Sequence, residues 1–329
     1  MFSWDKSSVI VTGAGGFIGS HLVERLLDLG ANVTAFVRYN SRNDLGVLQL
    51  IGERKRQLNI VAGDIQDLET VRNVVKDGDV LFHLAALVGI PYSYVHASEA
   101  IKVNAIGTLN VLTATKDKGV RKVVITSTSE VYGSALYTPI DERHAKQPQS
   151  PYSASKIAAD AFALSFYYAF GLPVAIVRPF NTYGPRQSDR AIIPTIIAQA
   201  LTKEEIHIGN TSVTRDFTFV SDTVEGMIRV AEADLATGQE INLGSGREIS
   251  IGDLAALITK LIGNGVRIHQ DAQRTRPARS EVARLVSENA KAREVLGWMP
   301  KVTLEEGLRR TIDWVRSHLC LYDPQAYRI

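Results

Sequence analysis

Short apolar runs rich in Val and Ile recur along the first 180 residues, with amphipathic stretches between them. The runs fall at residues 9–12, 32–37, 58–62, 79–83, 122–126 and 173–177; the helical patterns include 17–29, 68–75 and 101–118. A strand that is apolar at consecutive positions must be covered on both faces, and strands alternating with helices build βαβ units. The pattern predicts an α/β protein with a doubly wound parallel sheet and right-handed crossovers. After about residue 180 turns become denser, as in Asn181-Thr182-Tyr183-Gly184-Pro185, Gly209-Asn210 and Gly244-Ser245-Gly246, and helices dominate the tail. This predicts a first domain over residues 1–180, with returns to its sheet near 217–246. A smaller mixed α/β C-terminal domain would be built from residues 181–216 and 247–329. No internal repeat or low-complexity segment interrupts this order.

The first apolar run leads straight into Gly13-Ala14-Gly15-Gly16-Phe17-Ile18-Gly19, which opens the first helix. Glycines at 13, 16 and 19 allow a tight turn, close approach of backbone to a pyrophosphate, and close packing of helix on strand. The N–H groups of the helix start then face the phosphates. At the first βα junction of such a pattern, the loop predicts a Rossmann-type, dinucleotide-binding domain rather than an ordinary turn. A usual NAD site ends its second strand with an acid for the ribose hydroxyls. This chain reads Arg38-Tyr39-Asn40-Ser41-Arg42 there, so Arg38 and Arg42 are placed to meet a 2′-phosphate. The reading leans to NADP and leaves NAD open. Asp64, after the third strand, is either an adenine contact or a turn residue.

Tyr152 and Lys156 stand four apart at the start of a helical pattern, on one face and one turn apart. A nearby ammonium stabilises a phenolate, and such a tyrosine can take a hydroxyl proton while hydride leaves the same carbon. The hydroxyl-rich segment Thr126-Ser127-Thr128-Ser129-Glu130 follows the fifth strand, at the carboxyl end where open α/β sheets bind ligands.

Composition sets limits on the rest. The 329 residues are 45% hydrophobic and 22% charged, with 37 Lys plus Arg against 35 Asp plus Glu, for a formal net charge of +2. That balance gives no reason to expect nucleic acid or a membrane surface as partner. No apolar run approaches the ~18 residues of a membrane span. The N-terminus carries Asp5 and Lys6 and does not read as a signal peptide. Cys320 is the single cysteine, so no intrachain disulfide forms, and it reads as inert. Together these features predict a cytoplasmic protein. The seven histidines show no paired ligand spacing, so no metal is expected. The helix over 157–170 is apolar almost all round, so one face meets the sheet and the other wants a partner. A symmetric homodimer pairing it with residues 101–118 is the expectation.

Gly13-x-x-Gly16-x-x-Gly19, Asp64, His83-Leu84-Ala85-Ala86 and Asn104 stand in order along the chain. Thr128-Ser129-Glu130-Val131-Tyr132-Gly133, Tyr152-x-x-x-Lys156 and Arg178-Pro179-Phe180-Asn181-x-Tyr183-Gly184-Pro185 follow. The set resembles the extended short-chain dehydrogenase/reductase family, and within it the nucleotide-sugar epimerases and 4,6-dehydratases. The likeness extends through Arg215-Asp216-Phe217 to Leu296-Gly297-Trp298-x-Pro300. It is greatest to 4,6-dehydratases of legionaminic acid synthesis, which act on a nucleotide-activated N-acetylglucosamine. The resemblance implies that Tyr152 is the oxidising base, Lys156 holds the nicotinamide ribose, and Thr128 bonds the sugar 4-hydroxyl. It implies a tightly bound NADP or NAD, regenerated each turnover, contacted by Gly13, Gly16, Phe17, Ile18, Gly19, Asp64, Ile65, Leu84, Ala85, Ala86 and Asn104. A nucleotide-diphosphate sugar would be held by Asn181, Arg186, Arg215 and Arg276 or Arg279, with residues 186–210 shaping the pocket.

A 4-epimerase needs no acid or base beyond the tyrosine; a 4,6-dehydratase also needs a carboxylate for the carbon 5 proton. Glu130 is placed for that role, unless it is a turn residue. Ser129 stands where dehydratases of thymidine-linked glucose carry an aspartate, and serine is a poor acid. The Thr-Ser-Glu run also resembles UDP-glucuronate decarboxylases. The expected activity is 4,6-dehydration, with UDP-glucuronate decarboxylation or 4-epimerisation as alternatives. A non-enzymatic NAD(P)-sensing role is disfavoured because tyrosine, lysine, threonine and glutamate are all present.

Overall fold

In the computed structural model, residues 2–76, 79–274, 277 and 279–323 are described. The central sheet has seven parallel strands. Their order is Glu240–Leu243, Val174–Pro179, Lys122–Thr126, Val80–His83, Ser8–Thr12, Asn32–Arg38 and Asn59–Gly63. Alternate residues feed opposite faces, as the two-residue period of a strand requires. Val9, Val11, Val33, Ala35, Phe82 and Val124 join one core cluster; Ile10, Leu81, Val123, Ile125 and Ile176 join the other. Both faces are therefore covered, and every strand but Glu240–Leu243 lies within a residue or two of an expected apolar run.

The strand order reverses between Ser8–Thr12 and Val80–His83, with Thr12 paired to His83. Loops leave this switch point in opposite directions and open a crevice beyond the carboxyl ends of the strands. The helix Phe17–Asp28 starts there, with Gly16 as its extended N-cap. The helix Pro151–Phe170 is set more firmly. Ser150 accepts from the Ser153 N–H at 3.1 Å, the Ser153 hydroxyl accepts from the Ser150 N–H at 3.1 Å, and Pro151 occupies the first turn. That reciprocal cap fixes where Tyr152 and Lys156 enter the helix.

Of the region near 217–246, Glu240–Leu243 joins the central sheet. Thr214–Phe219 instead forms the middle of a smaller sheet with Asn181–Tyr183, Glu248–Ser250 and Arg284–Leu285. A further parallel pair joins Glu205–Ile208 to Arg267–Gln270. The helical stretch over 101–118 is interrupted: a π-helical segment, Lys102–Ile106, separates Ala97–Ile101 from Gly107–Lys118. No helix among the described residues is long and apolar enough to cross a membrane.

Candidate active site

The glycine loop closes by contacts that leave no room for side chains. Gly13 has φ +71°, and a Cβ there would lie 2.6 Å from the Ala85 nitrogen. A Cβ at Gly19 would collide with the Gly13 carbonyl. Gly15, which the spacing argument passed over, is equally constrained: its Cβ would sit 2.6 Å from the Leu45 carbonyl. The loop after the second strand folds back onto it through the Val47 N–H, 3.0 Å from the Gly15 oxygen. Phe17, Ile18 and Gly19 lie in the first helical turn, where N–H groups have no carbonyl four residues back. The glycines let the turn pack closely against its neighbours, and the helix start beyond it, with N–H groups free of intrahelical partners, fits a dinucleotide pyrophosphate.

Behind the loop, His83 anchors the switch point. The Thr108 hydroxyl donates to the Asn104 carbonyl at 2.6 Å, so it accepts from His83 Nε2 at 3.0 Å. His83 Nδ1 is then the acceptor for the Thr12 hydroxyl at 2.7 Å, and Thr12 Oγ1 accepts from the Ala85 N–H at 3.2 Å. Burial, with the nearby Lys156 charge, lowers the His83 pKa to about 3, so the ring stays neutral. The chain of bonds holds the loop carrying Leu84, Ala85 and Ala86 over the glycine turn. The Asn104 side chain completes it, accepting from the Leu87 N–H at 2.7 Å and donating to the Leu87 carbonyl and the Ser155 hydroxyl. Its amide is fully engaged within the protein, so Asn104 shapes the crevice from behind. Ile65 is buried against Gly107. The Asp64 carboxylate accepts from the Gln66 N–H at 2.9 Å.

Arg38 and Arg42 are exposed at and beyond the end of the second strand. Neither guanidinium has a carboxylate partner among the described residues.

Tyr152 and Lys156 are both buried on the inner face of their helix. Lys156 Nζ donates to the Thr126 carbonyl at 2.6 Å, at the end of the fifth strand. Burial lowers its pKa to about 8, and Asp160 opposes the fall. For Tyr152 the expected direction is reversed. Burial drives the phenol up, a hydrogen bond with Thr128 works against it, and the charges of Glu130 and Asp160 add to the rise. Sequence spacing places the lysine one turn away, but it does not report the loss of water around the phenol. Thr128 caps the short turn Ser129–Tyr132 by accepting from the Glu130 N–H at 3.2 Å. Ser129 is buried. The Glu130 carboxylate is half-buried and has no hydrogen bond or ion pair within the described residues, although its backbone shapes the turn.

The expected substrate arginines fare differently. Arg215 is buried, donating to the Thr214 carbonyl at 2.9 Å and to Glu281 at 3.2 Å. Arg186, held at φ +69°, pairs with Glu24 and His21 of the first helix. It ties the segment after Asn181–Tyr183 to the glycine-loop helix and leaves Nη1 buried without a partner. Asn181 is half-buried and makes only a long 3.4 Å contact to the Asp216 carbonyl. Arg279 is exposed, and Arg276 lies outside the described residues. Asp216, beside Arg215, went unassigned in the sequence. Its buried carboxylate accepts from Ser245 N, Ser245 Oγ, Gly246 N and Ser287 N, at 2.5–3.0 Å. It pins the Gly244-Ser245-Gly246 turn, which an acid in the Arg-Asp-Phe run could have signalled. No group of three metal-ligating side chains occurs among the described residues.

A glycine cradle at the switch point and a buried Tyr-x-x-x-Lys pair beside a hydroxyl-rich strand end define a nucleotide-dependent enzyme of the short-chain dehydrogenase/reductase class. A family model described as GDP-mannose 4,6 dehydratase matches residues 10–311. The chain belongs to this family of extended nucleotide-sugar dehydratases and epimerases. Among curated relatives, the UDP-N-acetyl-alpha-D-glucosaminuronate decarboxylase of Bacillus cytotoxicus is 34% identical, covering 95% of this chain and 98% of the relative. The human dTDP-D-glucose 4,6-dehydratase is 33% identical, covering 94% and 90%. Among solved structures, the dTDP-glucose 4,6-dehydratase DesIV of Streptomyces venezuelae, with NAD bound, superposes with a TM-score of 0.86. It is 28% identical, over 96% of this chain and 99% of that one. Relatives that remove carbon dioxide and relatives that remove water are thus equally similar, and the reaction must be argued from the site.

Proposed function

We propose that the protein is a nucleotide-sugar 4,6-dehydratase. It converts an NDP-hexose, with NDP-N-acetylglucosamine as the first candidate, to the 4-keto-6-deoxy sugar. The observation that carries this reading is Glu130. Its carboxylate is close enough to act electrostatically on Tyr152, yet it has no hydrogen bond or ion pair among the described residues. A simple epimerase has no use for such a group beside its base, whereas a dehydratase needs one.

Tyr152 takes the proton of the sugar 4-hydroxyl, which Thr128 orients. A nicotinamide dinucleotide, when bound, supplies the hydride acceptor and later the donor. The resulting 4-ketone acidifies the carbon 5 proton. Glu130 removes that proton, and the carbon 6 hydroxyl leaves as water with a proton returned from Glu130, because Ser129 is too weak an acid. Hydride then adds to carbon 6 and a proton to carbon 5. Lys156 holds the nicotinamide ribose. Arg38 and Arg42 favour NADP by the charge they offer a 2′-phosphate. Asn181, Arg215 and Arg276 or Arg279 bind the nucleotide diphosphate, and Arg186 offers its free Nη1. The exposed residues Ile101, Ile106 and Tyr168 support a homodimer through the outer faces of their helices. The proposed compartment is the cytoplasm.

One observation favours decarboxylation of a nucleotide uronate as the second reading. Ser129 leaves a single carboxylate at this strand end, and loss of carbon dioxide requires no acid for a departing hydroxyl. Mass spectrometry of products from a panel of UDP-, GDP-, CDP- and dTDP-sugars separates the two. A loss of 18 mass units supports dehydration. A loss of 44 from a uronate, or an isomer of unchanged mass, refutes it.

A further inference from the structure

The helix Pro151–Phe170 carries a third buried polar residue in step with the catalytic pair. Tyr152, Lys156 and Asp160 follow at intervals of four, so they stack on successive turns of one face. Asp160 is completely buried. Its Oδ2 accepts from the Ser127 hydroxyl at 2.9 Å and from Arg178 Nη2 at 3.0 Å, while Oδ1 has no hydrogen-bond partner. Ser127 adjoins Thr126, whose carbonyl holds Lys156 Nζ. Two successive residues at one strand end thus fix both the lysine and the aspartate.

We propose that Asp160 is a positioning residue for the reaction: its buried carboxylate, fixed by Ser127 and Arg178, holds Lys156 in the cationic form inside the closed site. The inference rests on Tyr152 and Lys156 being the catalytic pair. The groups facing Lys156 leave this role to Asp160. His83, on the strand Val80–His83, is neutral and bonded to Thr12 and Thr108. Tyr152, on the same helix, is a phenol whose pKa burial raises, so it offers Lys156 no counter-charge until it ionises. Glu130, on the turn after the fifth strand, acts on Tyr152. Arg178, on the strand Val174–Pro179, is directed to Asp160, Tyr132 and Glu240. A buried ammonium without a counter-charge reverts to the neutral amine, and a neutral amine cannot stabilise a phenolate.

Arg178 supplies the control. It pairs with Glu240 as well as Asp160, and Glu240 also receives Lys146 at 2.6 Å. Removing either carboxylate disturbs the same buried cation, but only Asp160 stands one turn from Lys156 on the same helix face, whereas Glu240 lies on a strand. The test follows Lys156 by the 13Cε resonance of labelled lysine, assigned through Lys156→Arg, and needs no sugar substrate. In the wild type the resonance should titrate near pH 8. In Asp160→Asn the midpoint should fall by at least about one unit, a tenfold loss of proton affinity. It should return toward the wild type in Asp160→Glu and stay in place in Glu240→Gln. If Asp160→Asn does not fold because Arg178 is stranded, the double variant Asp160→Asn/Arg178→Met removes both charges and should show the same fall. An unchanged midpoint in the folded Asp160 variant, or an equal shift in Glu240→Gln, overturns the proposal. Because the readout is independent of turnover, a protein that shifts as expected but dehydrates no sugar refutes the proposed reaction alone.

Discussion

Replacing Glu130 with Gln separates oxidation at carbon 4 from everything that follows. The carboxylate has no protein partner, so the substitution leaves no buried group unpaired. The Thr128 cap uses the Glu130 backbone N–H, which glutamine retains. Stability should therefore change by no more than about 0.5 kcal/mol, the ordinary range for a site without such features. The chemistry should change far more. Without a base for the carbon 5 proton, steady-state dehydration should fall roughly 10²–10⁴-fold, or about 3–5 kcal/mol of barrier. The first step should become easier, because the Glu130 charge raises the Tyr152 pKa and its removal lets the phenol ionise at lower pH. The assay is single-turnover absorbance at the reduced nicotinamide band, recorded against pH, with solvent deuterium at carbon 5 read by mass spectrometry. The variant should accumulate reduced cofactor with a bound 4-keto sugar, and the limb of its oxidation profile governed by Tyr152 should move to lower pH. Deuterium should enter the wild-type product and not the variant's. Dehydration by Glu130→Gln at the wild-type rate, or a wild-type product free of deuterium at carbon 5, refutes the assignment.

Tyr152→Phe keeps the buried ring and removes the hydroxyl; sugar binding by calorimetry should persist while cofactor reduction falls ~10²–10⁴-fold. His83 ties stability to acidity. Its native pKa, about 3, lies below the unfolded value of 6.5, so the unfolded chain binds the extra proton and stability falls as pH drops from 6.5 toward 3. At pH 5.5 the loss from this one ring should be on the order of 1 kcal/mol, and urea unfolding of His83→Gln should show a correspondingly flatter pH dependence. Arg38→Asp should weaken NADP more than NAD in fluorescence titrations, since a carboxylate repels a 2′-phosphate and accepts ribose hydroxyls; equal weakening of both would remove Arg38 from the cofactor site. A single-chain mass by light scattering at micromolar protein would exclude the homodimer.

The sheet and the cofactor cradle were legible in the sequence because they are written in local patterns. A strand's apolar run, a glycine triplet at the first βα junction and a tyrosine four residues before a lysine each specify geometry over a few residues. The helix cap at Ser150 is equally local, since Ser-Pro-Tyr-Ser carries both halves of the reciprocal bond, but it was not among the motifs singled out. What stayed hidden depends on partners far along the chain. Arg186 finds Glu24 from 162 residues away, Arg215 finds Glu281 across 66, and Asp216 closes on Ser245 and Ser287 across 29 and 71. Thr214–Phe219 reads like any apolar strand, and only packing assigns it to the smaller sheet. The ionisation of Tyr152 and Lys156 is the clearest case. The spacing of Tyr152 and Lys156 brings a cation within one turn of a phenol, which by itself predicts a lowered tyrosine pKa. The fold instead removes water from both groups and sets Asp160 and Glu130 near the phenol, so burial and charges from other elements decide the sign. Sequence alone determined which near neighbours share a turn, strand end or helix face, through the short-range geometry of strand, turn and helix. Tertiary structure decided their protonation, because desolvation and electrostatics depend on everything packed around a group.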